Sequence, residues 1–150
     1  MELYLVQHGA CKSKEEDPER SLTEAGKGKI TALCELAKKF PIEPTAIHHS
    51  TKKRAKETAH LIAQKLELAV EPIEVAGLAP MDDVKSYWQS IKDADGLMVV
   101  GHLPFLSKLA AFLVAGDEDG KVISFSQGAI NKLVSDDGER WSIELILPAL

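Results

Sequence analysis

Three short segments hold the residue types needed to bind and transfer an oxyanion: Gln7-His8-Gly9, Ser50 through Arg54, and Gly101-His102. An imidazole with an unperturbed pKa of ~6.5 is largely neutral near pH 7, so it can act as a nucleophile or carry a proton. Arg54 offers a planar fork that matches phosphate oxygens, and a helix beginning beside it would add backbone N–H donors and the positive end of its dipole. Each residue also has a plainer reading. A lone histidine at a strand end is usually a hydrogen-bonded structural residue, and Lys52, Lys53, Arg54 and Lys56 could be a solvated surface patch. A shared location is what would separate the two readings.

Placing these residues falls to an alternation of strands and helices. Leu3 to Val6 is a short apolar run suited to a strand buried on both faces, and Gln7-His8-Gly9 follows it directly. A polar loop from Cys11 to Ser21 leads into a helical pattern of Ile30, Leu33, Leu36, Ala37 and Phe40, with Thr23 as N-cap and Pro41 as stop. Ala46 to His49 reads as a second strand. A second helix starts at about Arg54, with Ala55, Thr58, Ala59, Ile62 and Leu66 on one face. Val70 to Val75 is a weak edge strand, since Pro72 removes a ladder donor.

Asp82 is placed to cap a helix through Tyr87, Trp88 and Ile91, and Leu97 to Val100 is the best buried strand. A further helix after Pro104 is closed by Gly116, and Ala129–Val134 and Trp141–Leu147 alternate at period two around Asp136-Asp137-Gly138 as a hairpin. The expected fold is an α/β three-layer sandwich: a mostly parallel central sheet, helices on both faces and a C-terminal antiparallel hairpin. Ligands of such sheets bind at the carboxyl ends of the strands, which is where all three polar segments fall.

Composition bounds the function. The chain has 150 residues, 18 Lys/Arg against 23 Asp/Glu, a net charge of -5 and 45% apolar residues. A domain of this size buries roughly 68–70% of its unfolded surface, enough for one core, so residues 1–150 read as a single domain. The acidic balance argues against nucleic acid and anionic membranes as partners. Charge is uneven, however: residues 1–60 carry 11 basic against 9 acidic side chains, and residues 61–150 carry 7 against 14. No stretch approaches the ~18 apolar residues of a membrane span, and Met1 to Val6 lacks the features of a secretion signal. Two cysteines, Cys11 and Cys34, make no disulfide framework. A cytoplasmic, soluble monomer is expected.

Four blocks in order resemble the histidine phosphatase superfamily. Leu5-Val6-Gln7-His8-Gly9 is similar to its signature after the first strand, usually Arg-His-Gly. Ser21-Leu22-Thr23-Glu24-Ala25-Gly26 is similar to its Leu-Thr-x-x-Gly helix start. Ser50 to Ala59 resembles its Ser-x-x-x-Arg-Ala-x-x-Thr-Ala block, and Val99-Val100-Gly101-His102 its second histidine motif. The short chain with Gly101-His102-Leu103-Pro104 looks most like the SixA-type phosphohistidine phosphatases of that family. The resemblance implies that His8 is the nucleophile and forms a phosphohistidine enzyme, that Gln7, His8, Gly9, Arg54 and His102 surround the phosphate, and that no metal or other cofactor takes part. Asp83 is the nearest acidic candidate for proton transfer, although Asp82-Asp83 also suits a helix cap.

Two positions depart from the family pattern. Gln7 stands where the family has a phosphate-binding arginine, which predicts a weaker or slower site, with Lys12 or Lys52 as partial replacements. Thr51 stands where proline is common. Only residues 55–101 separate Arg54 from His102, which predicts a shallow, open site suited to a phosphohistidine displayed on another protein, such as a phosphotransfer domain. Alternatives are a phosphatase of small phosphoesters, a non-catalytic phosphohistidine-binding module, and a metal site at His48, His49 and His60. The last is disfavoured because adjacent strand residues point to opposite faces.

Overall fold

The computed structural model describes residues 1–149. Its elements run β1 (Glu2–Gln7), α1 (Glu24–Ala37), β2 (Ala46–His49), α2 (Lys53–Lys65), β3 (Ile73–Glu74), α3 (Val84–Ile91), β4 (Leu97–Gly101), α4 (Phe105–Ala115), β5 (Ile130–Val134) and β6 (Ser142–Leu147). The strands form one sheet in the order β3-β2-β4-β1-β5-β6. Strands β3, β2, β4 and β1 are mutually parallel, while β5 and β6 close the far side as an antiparallel pair.

Period-two geometry sends alternate residues of each central strand to opposite faces. Leu3, Leu5, Leu97 and Val99 pack on α3 and α4, where Tyr87, Trp88, Leu106 and Leu109 are buried. Tyr4, Val6, Met98 and Val100 pack instead on α1 and α2, where Ile30, Leu33, Ala59 and Ile62 are buried. Both faces are therefore covered, and each of these strands is an unbroken apolar run for that reason. Tyr87 and Trp88 belong to this core.

The helix after β1 lies on one face and the helix after β4 on the other, although β1 and β4 are neighbours. Opposite crossovers from adjacent strands leave a crevice at their carboxyl ends. His8 and His102 are the first residues beyond those two ends.

Several local features differ from the sequence expectation. Helix α1 ends at Ala37, and Phe40 lies beyond it, 38% exposed. The residue before a proline is steered out of the helical region, and Lys39 and Phe40 close i→i−3 bonds to Leu36 and Ala37. The capping residue of α3 is Asp83 rather than Asp82: Asp83 accepts from Lys85 N–H at 3.1 Å, while Asp82 accepts from Ala79 N–H at 2.9 Å. Strand β5 is buried on both faces, Ile130 packing in the core beneath α1 and α2 and Leu133 in the core beneath α3 and α4. Lys132 donates to Pro41 O within reach of Glu2 and Glu144, and Asn131 donates to Leu5 O while its own Oδ1 stays buried without a partner among the described residues.

Candidate active site

The sheet order places β4 between β2 and β1, so His102 stands between Ser50 and His8. The His8 and His102 rings are 5.2 Å apart, centroid to centroid, and tilted by 54°. Ser50 Oγ lies 2.6 Å from His102 Nε2. All three residues are buried. The rim predicted from strand ends thus brings both histidines and the start of α2 together.

His8 is held in one tautomer. Its Nδ1 is 2.7 Å from the carbonyl oxygen of Gly9. A carbonyl only accepts, so Nδ1 carries the proton and Nε2 keeps its lone pair. Burial pushes the His8 pKa below its ordinary 6.5; the bond to Gly9 opposes this, and the charges of Arg54 and Arg20 add to it. The ring is therefore neutral near pH 7, with a nucleophilic nitrogen.

His102 is pushed further, to about 3, first by burial and then by Arg54, His8, Lys52 and Arg20. The ring is therefore neutral near pH 7. Ser50 Oγ already accepts from Lys52 N–H at 3.2 Å, and its own hydroxyl proton can be donated to His102 Nε2. In that arrangement Nδ1 carries the ring proton. Nδ1 of His102 and Nε of Arg54 are buried without a partner among the described residues. Orphaned buried polar atoms of this kind mark a place for water, an ion or a substrate group.

Arg54 occupies the first turn of α2. That helix starts at Lys53 with no side chain capping its N-terminus and no acidic residue in its first turn. Three cations, Lys52, Lys53 and Arg54, crowd the positive end of the dipole, against the usual preference. Such a start is unfavourable alone and favourable around an anion.

Arg20 was not singled out in the sequence. It lies on the loop before α1, and its positive charge acts on His8, Arg54 and His102. The residue adopts a left-handed backbone at φ +54°. Asp17 holds it there: the Asp17 carboxylate accepts from the N–H groups of Glu19 and Ser21 and from the Ser21 hydroxyl, while Arg20 N–H donates to Asp17 O. These bonds hold the Asp17 carboxyl down at about 2. Arg20 Nε donates to Lys12 O at 3.3 Å. Arg20 thus adds a positive charge that acts on both histidines, at a site where Gln7 adds none. The Asp17-x-x-Arg20-Ser21 spacing, ahead of the Leu22-Thr23 helix start, was the available signal.

Asp83 is exposed, and its carboxylate is engaged by Lys85 N–H and the Ser86 hydroxyl. This is the helix-cap role that the sequence held open beside proton transfer. His48 and His49 point to opposite faces. His48 meets the Tyr87 hydroxyl at 2.9 Å, while the His49 ring faces His60 at 5.7 Å. Among the described residues no group of three or more His, Cys, Asp or Glu is placed to hold a metal ion, and Cys11 and Cys34 are free. No helix among them is long and apolar enough to cross a membrane.

A crevice at the carboxyl edge of a doubly covered sheet, with two neutral histidines and two arginines, defines an oxyanion-handling α/β protein. The chain belongs to the histidine phosphatase superfamily (branch 1), whose family model matches residues 3–82. That span contains His8, Arg20 and Arg54; His102 is placed by the fold. No curated protein matches the sequence. Among solved structures, the protein histidine phosphatase SixA complexed with tungstate is similar over 99% of this chain and 97% of its own, at 22% identity and a TM-score of 0.84. A mycobacterial glucosyl-3-phosphoglycerate phosphatase is similar over 99% of both chains, at 15% identity and a TM-score of 0.70.

Proposed function

We propose that this protein removes phosphate from a phosphohistidine carried by another protein, through a phosphohistidine intermediate on His8. The observation that carries the chemistry is the bond from His8 Nδ1–H to Gly9 O, which leaves Nε2 unprotonated beside His102 and Arg54. Nε2 attacks phosphorus in line, and the bond from phosphorus to the substrate's imidazole nitrogen breaks. Arg54, Arg20 and a neutral N–H of His102 share the equatorial charge. The released imidazole nitrogen takes its proton from solvent, so no strong general acid is needed. Water then attacks phosphorus, releasing inorganic phosphate and returning neutral His8.

Support for a protein-borne substrate is the openness of the site. Between α2 and β4 the chain supplies a two-residue edge strand and one eight-residue helix, too little to wall in a small metabolite. The fold shared with SixA is consistent with this reading.

The test is incubation with a phosphotransfer domain phosphorylated on histidine. Expected are release of phosphate and acid-labile phosphate trapped on His8, both lost in His8→Ala. Faster turnover of a phosphoglycerate than of the phosphohistidine protein would overturn the substrate assignment. Binding of the phosphorylated domain without turnover would replace the enzyme by a phosphohistidine-binding module, the reading that Gln7 favours.

A further inference from the structure

A cleft of about 930 Å³ opens beside the phosphate pocket and shares Arg20 and Arg54 with it. Its other cations are Lys14, Lys52, Lys53 and Lys56, so six positive side chains line it in a chain whose net charge is -5. Three carboxylates face them. Glu19 is taken by Lys53 at 3.1 Å, Glu57 accepts from Leu22 N–H at 2.9 Å, and Glu74 stands at the end of β3. Lys14 and Lys56 are exposed and have no ion-pair partner among the described residues.

Two features separate this cleft from an ordinary solvated face. The chain concentrates its basic surplus here, six cations against three carboxylates, while the rest of the sequence is acidic. The same cations load the uncapped start of α2, where the helix dipole disfavours them unless a negative group is present. One phosphoryl group in the pocket answers Arg20 and Arg54. It leaves Lys14, Lys52 and Lys56 unanswered.

We propose that the cleft is a docking site for acidic residues flanking the phosphohistidine of the substrate protein. The inference rests on the phosphohistidine reading above and adds what recognises the substrate beyond its phosphate. Flexible lysines around an open cleft suit carboxylates on a peptide or helix surface. Each exposed pair contributes little alone, so selectivity comes from several acting together.

The experiment compares two synthetic phosphohistidine peptides, one with glutamates flanking the histidine and one with glutamines at the same positions. Expected is about a tenfold higher kcat/KM for the glutamate peptide at low salt, equivalent to about 1.4 kcal/mol, and a preference that shrinks as ionic strength rises. Lys14→Gln combined with Lys56→Gln should abolish the preference by raising KM for the glutamate peptide, with kcat and the turnover of phosphoramidate unchanged. Equal kcat/KM for the two peptides in the wild type, or a preference that survives the double substitution, would overturn the proposal. If the wild type hydrolyses neither peptide, the phosphatase reading fails. Docking is then read from equilibrium binding of the two peptides to the wild type, where equal affinity overturns it and a salt-sensitive preference for glutamate upholds it.

Discussion

The hydroxyl of Thr58 accepts the N–H of Gly9 at 3.0 Å and donates to the carbonyl of Arg54 at 2.8 Å. One fully buried side chain thereby fixes the turn that carries His8 to the first turn of the helix that carries Arg54. His8 and Arg54 come from elements far apart in sequence, and this is a direct tie between them.

Thr58→Val keeps the shape and removes both bonds, leaving Gly9 N–H buried without a partner. A cost of about 1–3 kcal/mol in stability is expected. The catalytic effect should fall on kcat, because misplacing reacting groups weakens the transition state most. Thr58→Ser, which keeps the hydroxyl, should recover most of the rate. Denaturant melts and steady-state kinetics on both variants check this, and a Val variant with wild-type kcat would show that Thr58 is purely structural.

Arg20 and Gln7 should be energetically coupled. If Arg20 stands in for the missing cation, Arg20→Gln lowers kcat/KM by about 10²-fold. Gln7→Arg should raise the wild-type rate and blunt the loss caused by Arg20→Gln, so the double-mutant cycle is non-additive. Additive effects would separate the two positions. Asp17→Ala should act in the same direction as Arg20→Gln, more weakly, because it frees the loop that holds Arg20 in its left-handed conformation.

The pH dependence of activity follows from the two depressed histidines of the site, His8 and His102. His8 must be neutral to attack, and its pKa lies below 6.5, so kcat/KM should be flat from pH 8 to about 6.5 and fall only at lower pH. Stability follows the same sign. A histidine whose folded pKa is lowered binds fewer protons folded than unfolded, so its contribution is fully present above about 6.5 and lost as pH falls toward the folded value. For His102, with a folded value of about 3, the loss at pH 5 is on the order of 2 kcal/mol. Thermal melts from pH 7.5 to 5 on wild type and His102→Asn check it; the variant should lose the His102 share of the slope and keep that of His8 and His48. Tungstate, an oxyanion, should flatten the slope by favouring the protonated ring.

Much of this arrangement was legible in the sequence, and the reasons are physical. Buried parallel strands read as unbroken apolar runs, so β1 and β4 and the polar residues at their ends could be placed without coordinates. Thr23 was found as a cap because its side chain accepts from Gly26 N–H, the local pattern that a sequence displays. Arg20 was missed because loop conformation depends on the Asp17 clamp, which leaves no periodic trace. Ala129–Val134 was read as an alternating strand with one polar face, yet the adjacent Asn131 and Lys132 point to opposite faces and both are buried.

Helix α1 offers a contrast between two glycines. A Cβ on Gly26 would collide with the carbonyl oxygen of Ala10, whose backbone also accepts from Thr23 N–H at 3.0 Å. A Cβ on Gly28 meets nothing within 4 Å. Gly28→Ala should therefore stabilise the protein by about 0.5–1 kcal/mol, since a helical glycine loses more backbone entropy than alanine. Gly26→Ala should destabilise by about 1–3 kcal/mol through overpacking. Because Ala10 follows Gly9 directly, Gly26→Ala should also displace the turn that fixes the His8 tautomer and lower kcat, whereas Gly28→Ala leaves kcat unchanged. Chemical denaturation and kinetics on both variants decide it. Equal stabilities would mean that α1 shifts freely against the His8 turn, and the close approach at Gly26 would then have no part in holding the nucleophile.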